Sequence, residues 1–213
     1  METDGSCYSA RYRDDGDLLL GCRDEVKVLY REEMYISEED SQYCGIISMA
    51  EPQGTLIVLH VINEEVRTVT SCGDPDEFPF EYPAGYSEPY SLDATDQYAV
   101  TVHAGTSELI RYDIESQESS NFHLKTTPAV VHIMANGDLL VLADLGINLT
   151  RYRLVDNQLT HVWTCDDVKD ATTVCSDSDG YIYLCIAEAK MLYILSPDGK
   201  NELLYKLASV CIN

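Results

Sequence analysis

Five stretches of this chain read alike: DDGDLLLGC (Asp14 to Cys22), PQGTLIVLH (Pro52 to His60), ATDQYAVTVH (Ala94 to His103), ANGDLLVLA (Ala135 to Ala143) and SDGYIYLCI (Ser178 to Ile186). Each is a polar turn followed by a short apolar run. With Gly16, Gly54, Asp96, Gly137 and Gly180 as anchors, successive repeats are 38, 42, 41 and 43 residues apart. A unit of that size cannot bury its apolar faces alone and must stack on its neighbours. Several short strands on a period near 40 therefore predict the blades of a β-propeller.

The unit from Pro128 to Asp156 is the best formed. An apolar run (Val130, Val131, Ile133, Met134) leads to Asn136-Gly137, which predicts a two-residue hairpin because both residues tolerate positive φ. The next run, Leu139 to Ala143, is apolar at every position, so it is expected to be covered on both faces. A third strand follows in each unit, ending at Tyr30, at Glu65 to Thr70, or around Tyr112, Tyr152 and Tyr193. A weaker fourth strand is expected at Met34 to Ser37, near Phe80, and at Ser120 to Lys125, Leu159 to Thr164 and Glu202 to Leu207.

The expected fold class is all-β: one propeller domain over 1–213 with about five four-stranded antiparallel blades, approximately 7–37, 44–82, 90–125, 129–164 and 171–207. The final ASVCIN parallels ATTVCS (Ala171 to Ser176), the opening strand of the fifth unit. Either five blades close and 208–213 is a tail, or these residues start a further repeat in an open or truncated arc of a six-bladed ring.

Charge narrows the partners. With 14 Lys and Arg against 37 Asp and Glu, the formal net charge is -23. Affinity for nucleic acid rests on basic side chains that displace counterions from phosphates, so no nucleic-acid partner is expected. The acidic residues, spread over nearly every turn, read first as a solvated surface, with a basic protein partner as the sharper alternative. No run of apolar residues is long enough for a membrane span, and Met1 to Gly5 lack the character of a secretory signal, which makes a cytoplasmic chain the expectation. The eight cysteines form no Cys-x-x-Cys pair and fall mostly in strands, where they are expected as reduced, buried thiols.

Catalytic and metal-binding patterns are scarce, and no cofactor or metal is expected. Asp177-Ser178-Asp179-Gly180 with Glu188 has some calcium-loop character, but its glycine comes too early and a strand follows, so a hairpin turn is expected. Cys22, His60 and His103 end the second strands of three successive units. Packed sheets stand about 10 Å apart, too far for one zinc with ligands about 2 Å away. His123, His132 and His161 read as isolated structural residues. The candidate partner-binding residues are Phe78, Phe80, Tyr82, Tyr86 and Tyr90, aromatics in a proline-rich connector that either offers anchors to a protein or folds its rings between blades.

Phe80-Glu81-Tyr82-Pro83-Ala84-Gly85, Pro128 with Gly137 nine residues on, and the strand ending Leu142-Ala143-Asp144 resemble the NHL-type propeller repeat, with Val130 where that repeat has Gly. The resemblance implies a module like the C-terminal domains of tripartite-motif ubiquitin ligases, which recruit partners. RING and B-box zinc motifs are absent from this sequence, so ligase activity would lie outside it. A non-catalytic protein-protein interaction module is the leading expectation. The alternative is a metal-dependent hydrolase or lactonase similar to the gluconolactonase group, whose axial metal is held by acidic and amide side chains.

Overall fold

The computed structural model describes the backbone of the strands between residues 7 and 89, backbone and side chains over 90–200 except 104, 144–145, 167, 169 and 187–188, and the backbone of 202–206. Within these residues twenty strands form five four-stranded sheets. The first holds β1 (Cys7–Tyr12), β2 (Leu18–Cys22), β3 (Val26–Tyr30) and β4 (Glu33–Ile36). The second holds β5 (Ile46–Ala50), β6 (Leu56–His60), β7 (Glu65–Val69) and β8 (Pro75–Glu77). In the third are β9 (Pro89–Ala94), β10 (Tyr98–His103), β11 (Glu108–Asp113) and β12 (Ser119–His123). The fourth has β13 (Pro128–Ile133), β14 (Leu139–Ala143), β15 (Leu149–Val155) and β16 (Gln158–Cys165). The fifth has β17 (Thr173–Ser176), β18 (Ile182–Ile186), β19 (Met191–Leu195) and β20 (Glu202–Lys206).

Strands pair in chain order in every sheet, as short connections demand. The pairing is antiparallel, with Val141 opposite Val131 and Thr150 in the fourth sheet, for example. No described helix is long and apolar enough to cross a membrane. The fourth strand of the second sheet is a correction to expectation: it lies at Pro75–Glu77, opposite Arg67 to Val69, and not near Phe80. An outermost strand needs no apolar face, and Pro75 is tolerated there because an edge residue can do without a ladder N–H.

The chain divides into two compact units, 1–100 with 112–119 and 101–111 with 120–213, the division running through the third sheet. In the first unit, β5 lies beside both β1 and β9, so the opening strands of successive sheets are neighbours. The second unit repeats this with β13 beside β17. Here the core is explicit. Leu140, Leu142 and Leu149 of the fourth sheet pack with Val174, Ile182, Leu184, Tyr193 and Leu195 of the fifth, and Met134, Cys165, Val168 and Ala171 complete the cluster. All five residues of β14 and all six of β10 are buried, as the uninterrupted apolar run in β14 requires. Each leucine so buried stabilises the fold by roughly 1.5–3 kcal/mol.

Turn chemistry departs from expectation in one respect. Asn136-Gly137 does not form a two-residue hairpin: Met134 N–H donates to Asp138 O at 2.8 Å, Gly137 N–H donates to Met134 O at 2.8 Å, and Gly137 has φ 81. This is a three-residue loop closed by a left-handed glycine. The same bonds recur at Asp177 to Tyr181, with Gly180 at φ 85, so that segment is the hairpin turn expected of it. The two-residue form occurs instead at Asp156 (φ 50) and Asn157 (φ 57), both left-handed, between β15 and β16.

Gly146 marks a close approach of two backbones. It has φ 59, and a Cβ there would stand 2.4 Å from the carbonyl oxygen and 2.5 Å from the nitrogen of Ala171. Neither backbone atom can rotate away. Gly146→Ala is therefore expected to destabilise the protein by roughly 1–3 kcal/mol or more through overpacking, measured as a lower denaturation midpoint with the m-value unchanged. An unchanged midpoint would show that this approach is not fixed.

Candidate functional site

The functional side chains the structure places most firmly lie at the hairpin ends of the fourth and fifth sheets. Asp138 follows the left-handed Gly137 and is only 3% exposed. Its carboxylate accepts from Arg151 Nε at 2.8 Å and from Arg151 Nη2, and from Arg153 Nε at 3.1 Å and Nη2 at 3.3 Å. Arg151 and Arg153 are two apart on β15, so they share one face of the strand. Burial alone would push the Asp138 carboxyl up; the hydrogen bonds and charges of Arg153 and Arg151 outweigh it and hold the group below its ordinary value. Arg151 also donates through Nη1 to Pro197 O at 2.7 Å, in the β19–β20 turn of the next sheet. Arg111 does the same one sheet earlier, donating to Asn157 Oδ1 at 3.0 Å in the β15–β16 turn. Both arginines reach 46 residues ahead, a repeated tie from a third strand to the following hairpin.

A second link joins β13 to β17. His132 Nε2 lies 3.0 Å from Ser176 Oγ, the distance of a nucleophile and its base. The Ser176 backbone N–H, however, also donates to Nε2 at 3.1 Å. The lone pair that would receive the hydroxyl proton is thus already engaged by a fixed donor, which places the imidazole proton on Nδ1. The arrangement ties two strands together and does not activate a serine. His132 is therefore structural as expected, but not isolated. His161 likewise meets Thr164 Oγ1 at 2.9 Å and packs edge-on against Tyr152, ring centroids 6.1 Å apart.

At the β17–β18 turn Asp177 serves its own loop. Its Oδ1 accepts from the N–H of Asp179 at 3.0 Å and of Tyr181 at 2.9 Å, and Tyr183 OH donates to Oδ2 at 2.7 Å. The Tyr183 hydrogen bond is the main reason the Asp177 carboxyl sits low, and the same bond raises Tyr183. Asp198 is lowered in the same way, chiefly by Ser196. Cys165 is buried, as expected of the strand cysteines, whereas Cys175 is exposed as a residue, and neither forms a disulfide. Desolvation, then the charges of Asp177 and Cys185, push the Cys175 thiol up, the opposite of what a thiolate nucleophile needs.

Cys22, His60 and His103 do end β2, β6 and β10, as the repeat requires. His103 is fully buried, with Nε2 3.3 Å from Thr101 Oγ1 of the same strand. Of the aromatic candidates, Tyr90 is 54% exposed, on β9. Phe78, Phe80, Tyr82 and Tyr86 lie outside the described residues, as does 208–213. The Asp138 hub was not anticipated, although Gly137-Asp138 and the Arg-x-Arg spacing of β15 carried its signal. The His132–Ser176 pair joins residues 44 apart and had no local signal.

No protein-family model matches the chain, and no curated protein matches its sequence. Among solved structures, a putative gluconolactonase is similar over 98% of this chain and 80% of its own, with 12% identity and a TM-score of 0.79. Virginiamycin B lyase from Staphylococcus aureus is similar over 98% and 72%, with 10% identity and a TM-score of 0.70. A β-propeller domain from Myceliophteria thermophila is similar over 95% and 74%, with 12% identity and a TM-score of 0.70. The fold is a β-propeller. At such identities the likeness extends to fold alone.

The Asp138 hub gives a test with a definite sign. Its lowered carboxyl contributes stability that is fully present above the unfolded value of about 3.9 and lost as pH falls through the lower folded value. Asp138→Asn leaves Arg151 without its counter-charge and is expected to cost roughly 1–3 kcal/mol at neutral pH. The gap between the variant and the parent should close below about pH 4. A gap independent of pH down to acid unfolding would contradict the ion-pair account.

Proposed function

We propose that this chain is a non-catalytic protein-protein interaction module that recruits a basic protein partner. The observation that carries the reading is the engagement of Nε2 of His132 by the Ser176 N–H, which makes the His132–Ser176 contact a structural tie. The described carboxylates with lowered pKa values support it, because each is accounted for by a neighbour in its own fold: Asp138 by arginines, Asp177 by Tyr183, Asp198 by Ser196. The net charge of -23 supports a basic partner, since opposite charge speeds encounter and suppresses wrong partners.

The partner-binding residues in this reading are Phe78, Phe80, Tyr82, Tyr86 and Tyr90, and the exposure of Tyr90 is in its favour. In the form that the NHL-type resemblance implies, the module is the substrate-recruiting propeller of a tripartite-motif ubiquitin ligase, works in the cytoplasm, and needs no cofactor of its own.

A partner identified by cross-linking to the full chain is expected, in the complex re-formed without cross-linker, to dissociate as salt rises, because exposed charges are screened within about 8 Å at physiological ionic strength. Replacing Phe78, Tyr86 and Tyr90 by Ala should weaken its binding by roughly ten-fold or more without lowering the melting temperature. One tightly held divalent ion per chain, with lactone hydrolysis that a chelator removes, would overturn the reading in favour of the hydrolase.

A further inference from the structure

The outermost strand of the fourth sheet differs from the other outer strands. β16 has eight residues, Gln158–Cys165, and QLTHVWTC contains no Asp, Glu, Lys, Arg or Pro. The corresponding strands are blunted in the ways that sheets usually protect an edge. β8 is three residues beginning with Pro75, β4 and β20 carry charges, and β12 is five mostly polar residues. β16 terminates the order β13-β14-β15-β16, so one side of its backbone has no strand partner in that sheet.

The geometry of the edge follows from its hairpin. The left-handed pair Asp156 and Asn157 makes Val155 and Gln158 the closing hydrogen-bonded pair. Bonding alternates along an antiparallel ladder, so the N–H groups of Leu159 and His161, opposite Leu154 and Tyr152, point away from β15. A bulge follows, between Arg151 and Tyr152 on the partner strand, and leaves Val162 without an opposite residue and 39% exposed. Thr160, His161 and Thr164 are also exposed, while Trp163 packs on the core cluster.

Charge selects the occupant. Asp156 at one end of β16 and Asp166 at the other are both exposed. The nearby guanidinium of Arg153 bonds to Asp138, a carboxylate it shares with Arg151, so the acidic charge of this edge sits at the ends of β16 and not along its middle. A second copy of this chain would bring -23 against -23 and set aspartates opposite aspartates at the strand ends. A basic segment meets complementary charge instead. We propose that β16 is a docking edge to which an extended segment of a basic partner adds as a further strand, its uncharged middle pairing with Gln158–Cys165 and its lysines or arginines meeting Asp156 and Asp166. Main-chain bonds supply the affinity and the flanking charges the selectivity. The inference rests on the reading of the chain as a binding module for a basic protein, and it adds the place and the mode of contact.

The test uses the full chain and a synthetic peptide of alternating Thr and Val flanked by paired lysines, with a glutamate-flanked version as control. Binding is followed by fluorescence anisotropy and hydrogen exchange. The lysine peptide is expected to bind saturably and to slow exchange of the Leu159 and His161 amides; the glutamate peptide should not bind. His161→Pro removes an outward donor and leaves the β15 ladder intact, and should weaken binding by about ten-fold, whereas His161→Ala should not. Should the proline variant unfold, Asp156→Asn with Asp166→Asn is the second test, with the same direction expected. Protection at other strands, equal binding of both peptides, no binding, or a peptide-free dimer protected at β16 would each overturn the docking edge. The module reading falls only if the salt and aromatic-variant experiments on the re-formed, uncross-linked complex also fail.

Discussion

Burial of the second strand on both faces is the constraint on which the other features depend. Leu139 to Ala143 are all buried, and Leu140 and Leu142 meet the fifth sheet directly. A strand with no polar face cannot sit at a surface, so its sheet must have a neighbour on each side. Four short strands per unit and a spacing near 40 are consequences of meeting that demand repeatedly. The fifth sheet shows a gentler version, in which Ile182 and Leu184 are buried while Tyr183 and Cys185 are half-buried.

Stacked sheets slide unless polar contacts fix their register, and the second unit has several. Arg111 and Arg151 each tie a third strand to the next hairpin, and His132 ties β13 to β17 through Ser176. The Trp163 ring lies against Gly199, where an added Cβ would stand 3.0 Å from it. These contacts also decide the chemistry. Asp138, Asp177, His132 and His161, residue types that elsewhere serve as bases or metal ligands, are engaged in holding sheets and turns.

Legibility in the sequence tracked the physical cause of each element. β14 was readable to the residue, because apolar runs bounded by turn residues report burial directly. β8 was misplaced because an outer strand of Pro, Asp and Glu carries no such pattern. The Asn-Gly turn was readable as a turn but not by type, since Asn136 favours several loops and the bonds of Met134 selected a three-residue one. His132 looked isolated because its contact with Ser176 joins residues 44 apart on two sheets, and a single sequence carries no trace of it. The edge character of β16 was hidden as well: QLTHVWTC reads as an ordinary strand until its place in the sheet is known.

Native-state hydrogen exchange followed strand by strand tests the central claim most directly. Amides of Leu139 to Ala143 are predicted to exchange only through global unfolding, with protection falling outward through β15 to the peripheral amides of β16. Exchange from Leu139 to Ala143 as fast as from Leu159 and His161 would contradict an account in which the doubly covered second strand organises the fold.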